Sequence, residues 1–323
     1  MLLDTNVVSE LVRKSPNPAV VSWVSVHPLE DLFLSAVGEA ELRYGAAILP
    51  AGRRRDRLLL QIEGMLREAF ADRVLPFDTR NGDDEYAKAH IPGAVHARWD
   101  TELADPDRPN LWMLAGPERF AEAMASRGIG DSTFVVAYDD QHVTVAARLW
   151  WALRTYGHTD VAVLDGGFTK WQAEGRPTTS AVPNHQRAHF TPRFNPDLYV
   201  THQQMRAAVG TPTRLVDGRM DGARQQDGGA IPGSIVAPGI TFTGADGTWT
   251  GPEEARRRLA EAGACAPEPT IAYCRGGVGA CGTALAYAIA GHDDVAVYDG
   301  SWTEWITDPE SPRALDSPPP VTC

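Results

Sequence analysis

Cysteine is scarce in this chain: four thiols in 323 residues, Cys265, Cys274, Cys281 and Cys323. They do not fall at the paired spacing of metal ligands, and four in a chain this long cannot make a disulfide framework. A reducing cytoplasm is the expected location. Long apolar runs are absent too, since nowhere do about 18 apolar residues follow one another. The start, Met1-Leu-Leu-Asp4, has no basic segment leading into an apolar one, so neither an export signal nor a membrane span is expected. Positive charge is in short supply, with 42 acidic against 30 basic residues and a net charge of −12. A surface of that sign repels phosphate backbones, which disfavours nucleic acid as the partner of the whole chain. What remains is the mixture of a folded protein, 43% hydrophobic and 22% charged, long enough for about two domains of roughly 150 residues.

The chain repeats itself. AHIPGAV at 89–95 is answered by GAIPGSI at 229–235, TFVVAYD at 133–139 by PTIAYC at 269–274, and VAVLDGGFTKW at 161–171 by VAVYDGSWTEW at 295–305. Three matches in one order at nearly one offset predict a duplicated domain. The runs Phe134 to Tyr138, Val161 to Leu164, Ile271 to Tyr273 and Val295 to Tyr298 are short, partly β-branched and bounded by Gly or Asp, as buried parallel strands are. TVAARLWWALRT at 144–155 and CGTALAYAIA at 281–290 read as the helices that join them, which is the βαβ order of an α/β sheet. The polar stretch from Arg176 to Pro196 is expected to be a linker, and the proline-containing tail from Pro309 is expected to have no packed structure.

Residues 1–78 belong to neither repeat and form a separate α/β piece: a strand-like MLLDTNVV, a second apolar run LFLSAV, and helical stretches around them. The expected domains are therefore 1–78, 79–178 and 197–308, with a linker at 179–196 and a tail at 309–323. The second repeat has a helix and strand ahead of its Asp217-Gly-Arg219, whereas the first has nothing of its own ahead of Asp78-Thr-Arg80. Residues 56–77 are expected to supply that missing edge.

Cys274 carries the chemistry. A strand-end cysteine is by habit a small buried hydrophobe, but this one is followed by Arg275, Gly276, Gly277, Val278, Gly279 and Ala280 and then by a helix. Glycines let successive N–H groups turn inward around an anion, and the helix start adds partial positive charge. Ligands of open α/β sheets sit beyond the carboxyl ends of the strands. A cysteine there, beside Arg275, is expected to be a thiolate nucleophile that carries a covalent intermediate and loses activity on acidification. Cys265 and Cys281 have no such setting.

These signatures, HIPGAVHARWD, FVVAYDD with AARLWWALRTYG, LDGGFTKW, IPGSI, AYCRGGVGA and YDGSWTEW, resemble the tandem rhodanese family, the thiosulfate and 3-mercaptopyruvate sulfurtransferases, over about residues 78–308. The resemblance implies two rhodanese-like domains, each a parallel sheet with helices on both faces, and a ping-pong reaction. Cys274 takes sulfane sulfur from a donor, the persulfide is held by the amides of residues 275–280, and the sulfur passes to cyanide, a thiol or a thioredoxin-like acceptor with no cofactor. Asp139 stands at the matching position of the first repeat, which makes that repeat the non-catalytic wall of the cleft. Arg219 in LVDGR stands where the family uses an arginine against the donor's anionic group. Arg275 could serve the same anion, while Arg224 reads as a solvated side chain, and Asp139, Trp171 and Trp305 as structural. Two positions after the cysteine, thiosulfate enzymes carry lysine and mercaptopyruvate enzymes serine, whereas this chain has Gly276. Trp112 stands where mercaptopyruvate enzymes use histidine. Arg275 tilts the expected donor toward thiosulfate. Phosphatases of this fold need an arginine at position 280, and alanine there argues against that activity.

MLLDTNVVSEL followed by SAVGEAELRYG resembles the start of PIN-domain ribonucleases of the toxin/antitoxin kind. That resemblance implies Asp4 and Glu41 as ligands for Mg²⁺ or Mn²⁺, required only if the fragment is active. The family's second half is missing, so the expectation is a truncated α/β segment that packs. A metal-dependent ribonuclease and a non-catalytic persulfide-binding module are the alternatives to sulfur transfer.

Overall fold

The computed structural model describes residues 2–3, 10–11, 16–26, 33–34, 55 and 74–314, apart from 81, 109–111, 141–143, 221 and 265–267. The chain divides into two compact units at Val74. In the N-terminal unit β1 (Leu2–Leu3) pairs in parallel with β2 (Phe33–Leu34). Between them runs the helix Pro18–Ser25, started by Pro18 at its first position and by Asn17, whose side chain accepts from the Ala19 N–H at 2.9 Å. Asp4, Glu41 and residues 56–73, on which the metal site and most of the expected edge rest, lie outside the described residues.

The second unit holds two sheets. The first repeat has β3 (Val74–Asp78), β4 (Val95–His96), β5 (Phe134–Tyr138) and β6 (Val161–Val163) in the order β4-β3-β5-β6. The second has β7 (Tyr199–Val200), β8 (Arg214–Asp217), β9 (Ile235–Val236), β10 (Thr270–Tyr273) and β11 (Ala296–Tyr298) in the order β7-β11-β10-β8-β9. The pairings resolved in both are parallel, for example Ile271 with Ala296 and with Leu215. Laid over one another the sheets agree strand for strand, and β7 is the extra edge of the second repeat. Val74–Asp78 pairs as β3 in the first repeat's sheet as the counterpart of β8, so the short strand expected from the N-terminal segment just ahead of Asp78-Thr-Arg80 is present.

One contiguous hydrophobic core runs through both repeats, from Phe77 and Val135 to Ala272 and Val297. The helix Thr144–Thr155 of the first repeat crosses it and is buried at all but two of its residues, Thr144 and Arg154. It packs on its own sheet and on the helix Val278–Ile289 of the second repeat, which is why its sequence is apolar on every side.

Two expectations for the connecting segments need correction. Residues 310–314 do pack: Ala314 exchanges backbone bonds with Ala230, and Trp305 donates its indole N–H to the Pro312 carbonyl at 2.9 Å. Arg224 is not solvated. It is buried, with Nε on Asp217 at 3.0 Å and Nη2 on the Ser234 carbonyl at 2.9 Å. The intervening segment also stays on the surface of the first repeat, through Thr179 paired with His90, buried Phe190, and Thr191 on Asp131.

Candidate active site

Strand β10 is buried along its whole length and delivers Cys274 to the carboxyl edge of the sheet, only 5% exposed. Its backbone is held on both sides. The Cys274 N–H donates to Ser301 Oγ at 3.0 Å and its carbonyl accepts from the Trp302 N–H at 3.0 Å. Ser301 takes a left-handed backbone (φ 51°) to reach that position, and its hydroxyl donates onward to the Tyr298 carbonyl. After the cysteine the chain turns through Gly277 (φ 84°) into the helix Val278–Ile289. A Cβ built on Gly279, in that helix's first turn, would stand 3.6 Å from Cys274 Sγ. The sulfur thus lies beside the first turn of the helix Val278–Ile289.

Gly277 can only be glycine. A Cβ there would come within 2.5 Å of the Asp299 carbonyl and 2.9 Å of its carboxylate. That carboxylate belongs to a buried ion pair with Arg148 of the first repeat, at 2.5 Å. Arg148 also donates to the Trp112 carbonyl at 3.0 Å, and Asp299 Oδ2 accepts from the Leu114 N–H at 2.7 Å. Burial opposes the charge on Arg148, but Asp299 more than offsets it and the guanidinium is raised above its ordinary value. Cys281, one turn into the helix, is fully enclosed; burial pushes its thiol up to about 12, and it donates to the Gly277 carbonyl at 3.2 Å. It is a neutral structural thiol. Cys265 and Cys323 lie outside the described residues.

A cavity of about 440 Å³ opens over Cys274. Trp99, Trp112 and Val145 come to it from the first repeat, Met220, Arg275 and Val278 from the second. The first repeat does supply a wall. Trp112 is 40% exposed, has a left-handed backbone (φ 50°) and meets Trp99 edge-on at 6.0 Å.

The two arginines expected to meet a substrate anion are already engaged. Arg219 is buried against Asp217 through Nε at 3.0 Å and Nη2 at 2.7 Å, and also donates to Asp227 at 3.1 Å and the Gly229 carbonyl at 3.0 Å. Burial works against its charge, yet these carboxylates hold its pKa above the ordinary value. Arg80 in the first repeat makes the same set with Asp78 and the Ala89 carbonyl, where there is no cysteine to serve. Arg219 is therefore fixed by Asp217 and Asp227 while it lines the cavity over Cys274. Arg275, largely exposed, is clamped by Asp227 at 2.7 and 3.1 Å. Asp139 stands where Cys274 does: its carbonyl accepts from the Phe168 N–H as that of Cys274 does from Trp302. Its carboxylate accepts from the Ala146 N–H at 2.7 Å, in the first turn of the next helix.

Sequence reasoning missed Arg148, Asp299 and Trp99. Asp299 had a signal, because its counterpart Asp165 recurs in the same motif. Asp165 accepts from the Trp249 N–H of the second repeat at 2.7 Å, just as Asp299 accepts from Leu114 of the first. Among the described residues no three potential metal ligands gather, and no helix is long and apolar enough to cross a membrane.

The rhodanese-like domain family matches residues 64–174 and 201–308, and the PIN domain family matches residues 1–87. Thiosulfate sulfurtransferase of Rattus norvegicus is 38% identical over 241 residues, covering 71% of this chain and 81% of the relative. 3-Mercaptopyruvate sulfurtransferase of Homo sapiens is 35% identical, covering 72% and 82%. The crystal structure of SseA, a 3-mercaptopyruvate sulfotransferase of Escherichia coli, covers 74% of this chain and 97% of its own at 28% identity, with a TM-score of 0.66. Twofold repetition, a cysteine at the carboxyl edge of one sheet and these likenesses lead to one conclusion: the chain belongs to the rhodanese family and is a sulfurtransferase, with a PIN-type segment at its N-terminal end.

Proposed function

We propose that Cys274 takes sulfane sulfur from thiosulfate, with 3-mercaptopyruvate as the second donor, and hands it to cyanide or to a small or thioredoxin-like thiol. The observation that carries this is the seat of Cys274 Sγ against the first turn of the helix Val278–Ile289, at the floor of the cavity. The thiolate attacks the outer sulfur of thiosulfate, a sulfur–sulfur bond forms to Cys274, the bond to the sulfonate sulfur breaks, and sulfite leaves. The new persulfide is an anion, and the amides of residues 275–280 stabilise it on this reading. Cyanide then attacks the outer sulfur, thiocyanate leaves, and the thiolate returns. Every electron pair is accounted for without a cofactor. Donor choice turns on Gly276 and Trp112, which match neither kind of enzyme.

Mg²⁺ or Mn²⁺ enters only if the N-terminal segment hydrolyses RNA through Asp4 and Glu41; the PIN-family match supports the ancestry of that segment, and two carboxylates are few for such an ion. A cytoplasmic location fits a protein that works through a free thiol, with Cys274 and Cys281 both unpaired. The test is cyanide-dependent thiocyanate formation from each donor in EDTA, with the parent chain and Cys274→Ser side by side. Turnover confined to the parent supports the reading. Turnover that survives in Cys274→Ser, or none from either donor, overturns it.

A further inference from the structure

We infer that Ser301 is a positioning residue for sulfur transfer: its hydroxyl, inserted between the Cys274 N–H and the Tyr298 carbonyl, fixes how far the cysteine stands from strand β11. This rests on the reading of Cys274 as the sulfur carrier and adds the residue that holds it in place.

The ladder between β10 and β11 shows what the hydroxyl replaces. Ile271 pairs with Ala296 and Ala272 with Val297, in parallel register. In a parallel pair each facing residue donates to the residue before its partner, so the same register carried onward would join the Cys274 N–H directly to the Tyr298 carbonyl. The structure departs from it. The Cys274 N–H donates to Ser301 Oγ at 3.0 Å, and that hydroxyl donates to the Tyr298 carbonyl at 2.8 Å. The strands part at the cysteine by the width of one hydroxyl group, and the N–H, the hydroxyl and the carbonyl all stay paired. On the other side the Trp302 N–H donates to the Cys274 carbonyl at 3.0 Å, and the Thr303 N–H to the Arg275 carbonyl at 2.9 Å. The peptide groups on either side of the sulfur-bearing residue are thus tied to residues 301–303.

This arrangement strains the backbone. Ser301 is wholly buried with φ 51°, and among the described residues Trp112 is the one other non-glycine with a left-handed backbone. The first repeat supplies the comparison. At the matching place Gly167 adopts φ 57°, which a glycine does freely. The Phe168 N–H there donates to the Asp139 carbonyl at 2.8 Å, as Trp302 does to Cys274. Left-handed turn and backbone clamp are therefore common to both repeats, and the hydroxyl is added in the repeat that has the cysteine. Glycine satisfies the shape; the serine is there for what its oxygen does to Cys274.

The consequence falls on rate. Sulfur transfer needs the thiolate aligned with the sulfur it attacks, and a small displacement slows the step without altering what the cavity binds. Without the hydroxyl the Cys274 N–H can close on the Tyr298 carbonyl, which draws the cysteine peptide toward β11.

The experiment loads the parent, Ser301→Gly and Ser301→Ala with sulfur from thiosulfate in single turnovers at a series of donor concentrations. The sulfur added to the protein is followed by intact mass, and Tm is measured on the same preparations. The plateau rate constant is first-order and does not depend on how much of a variant is folded. We expect it to fall about tenfold or more in both variants, while the half-saturating thiosulfate concentration changes by less than about twofold. Stability should divide the two, with Ser301→Gly, relieved of strain at φ 51°, melting above Ser301→Ala. Rate then follows the hydroxyl and stability follows the backbone. A Ser301→Gly protein that loads at the parental rate overturns the inference, and so does a loss confined to the half-saturating concentration, which would put the serine on the donor. Sulfur transfer through Cys274 stands in either case. If the parent itself takes up no sulfur, the sulfurtransferase reading falls and the inference with it.

Discussion

The two repeats share a buried framework almost atom for atom and differ at the residue proposed to carry the sulfur. In each, a tyrosine at the end of the central strand donates its hydroxyl to the aspartate of the neighbouring strand, Tyr138 to Asp78 and Tyr273 to Asp217. In each, the same hydroxyl accepts a backbone N–H, from Ile91 or Ile231, and an arginine two residues after the aspartate folds back upon it. One step beyond the tyrosine the repeats part. Asp139 spends its carboxylate on the start of the following helix, whereas Cys274 is followed by glycines and leaves its sulfur at that place. A network retained where no sulfur chemistry occurs is there for shape. What sets the second repeat apart is a cysteine and the glycine-containing loop that follows it.

That contrast can be broken in several ways, the largest first. Cys274→Ser should remove sulfur transfer by a factor of at least about 10³, and adding Asp139→Cys to it should restore none, because DQHVT at 140–144 has no glycine to form an amide ring. Sulfur loading followed by intact mass checks both, and a persulfide on position 139 would show that the scaffold alone suffices. Next, Asp299→Ala leaves Arg148 buried without its partner and should cost about 3–5 kcal/mol, a fall in Tm of about 10 °C or more. Asp165→Ala, its exposed counterpart, should cost about 1 kcal/mol for one lost hydrogen bond. Equal losses in thermal melts would mean that the buried pair adds nothing. Third, Arg80→Lys and Arg219→Lys should lower Tm by matching amounts, about 1–3 kcal/mol each. A rise in thiosulfate KM specific to Arg219→Lys would return that residue to the substrate. The smallest effect is a silence: at pH 8 iodoacetamide should leave Cys281 unlabelled in the native protein, since its thiol, pushed up to about 12, is both neutral and enclosed. Peptide mapping that found it alkylated as fast as Cys274 would contradict its place in the core.

Duplication, sheet class and the place of Cys274 between a strand and a helix were legible because each is written in contiguous residues: repeated motifs, short β-branched runs, a glycine-rich turn after a strand. The roles of the arginines were not. LVDGR states that a guanidinium stands near the strand end, but whether it faces a ligand or Asp217 depends on Gly229 and Asp227, eight and more residues away. Arg224 misled in the same manner, since a charged side chain in a polar segment looks solvated until Ser234 closes over it. Arg148 and Asp299 are 151 residues apart and meet where the helix Thr144–Thr155 of the first repeat packs against the second. Trp112 was visible as an oddity, and so was Gly276; that the indole lies close over the glycine took the fold to show. Asp4 and Glu41 fall outside the described residues, and their reading stays where the sequence left it.

Asp165 and Asp299 each reach across to the backbone of the opposite repeat, and reciprocal use of one position is the mark of an isologous contact, the kind that identical subunits make around a twofold axis. Seen so, the tandem chain is a dimer whose protomers have been tied together. The tether holds its second half at an effective concentration of millimolar order, so assembly of the cleft no longer depends on how abundant the protein is. A pair of equals made permanent in this way is free to divide its labour, and one member could give up its thiol and lend a tryptophan instead.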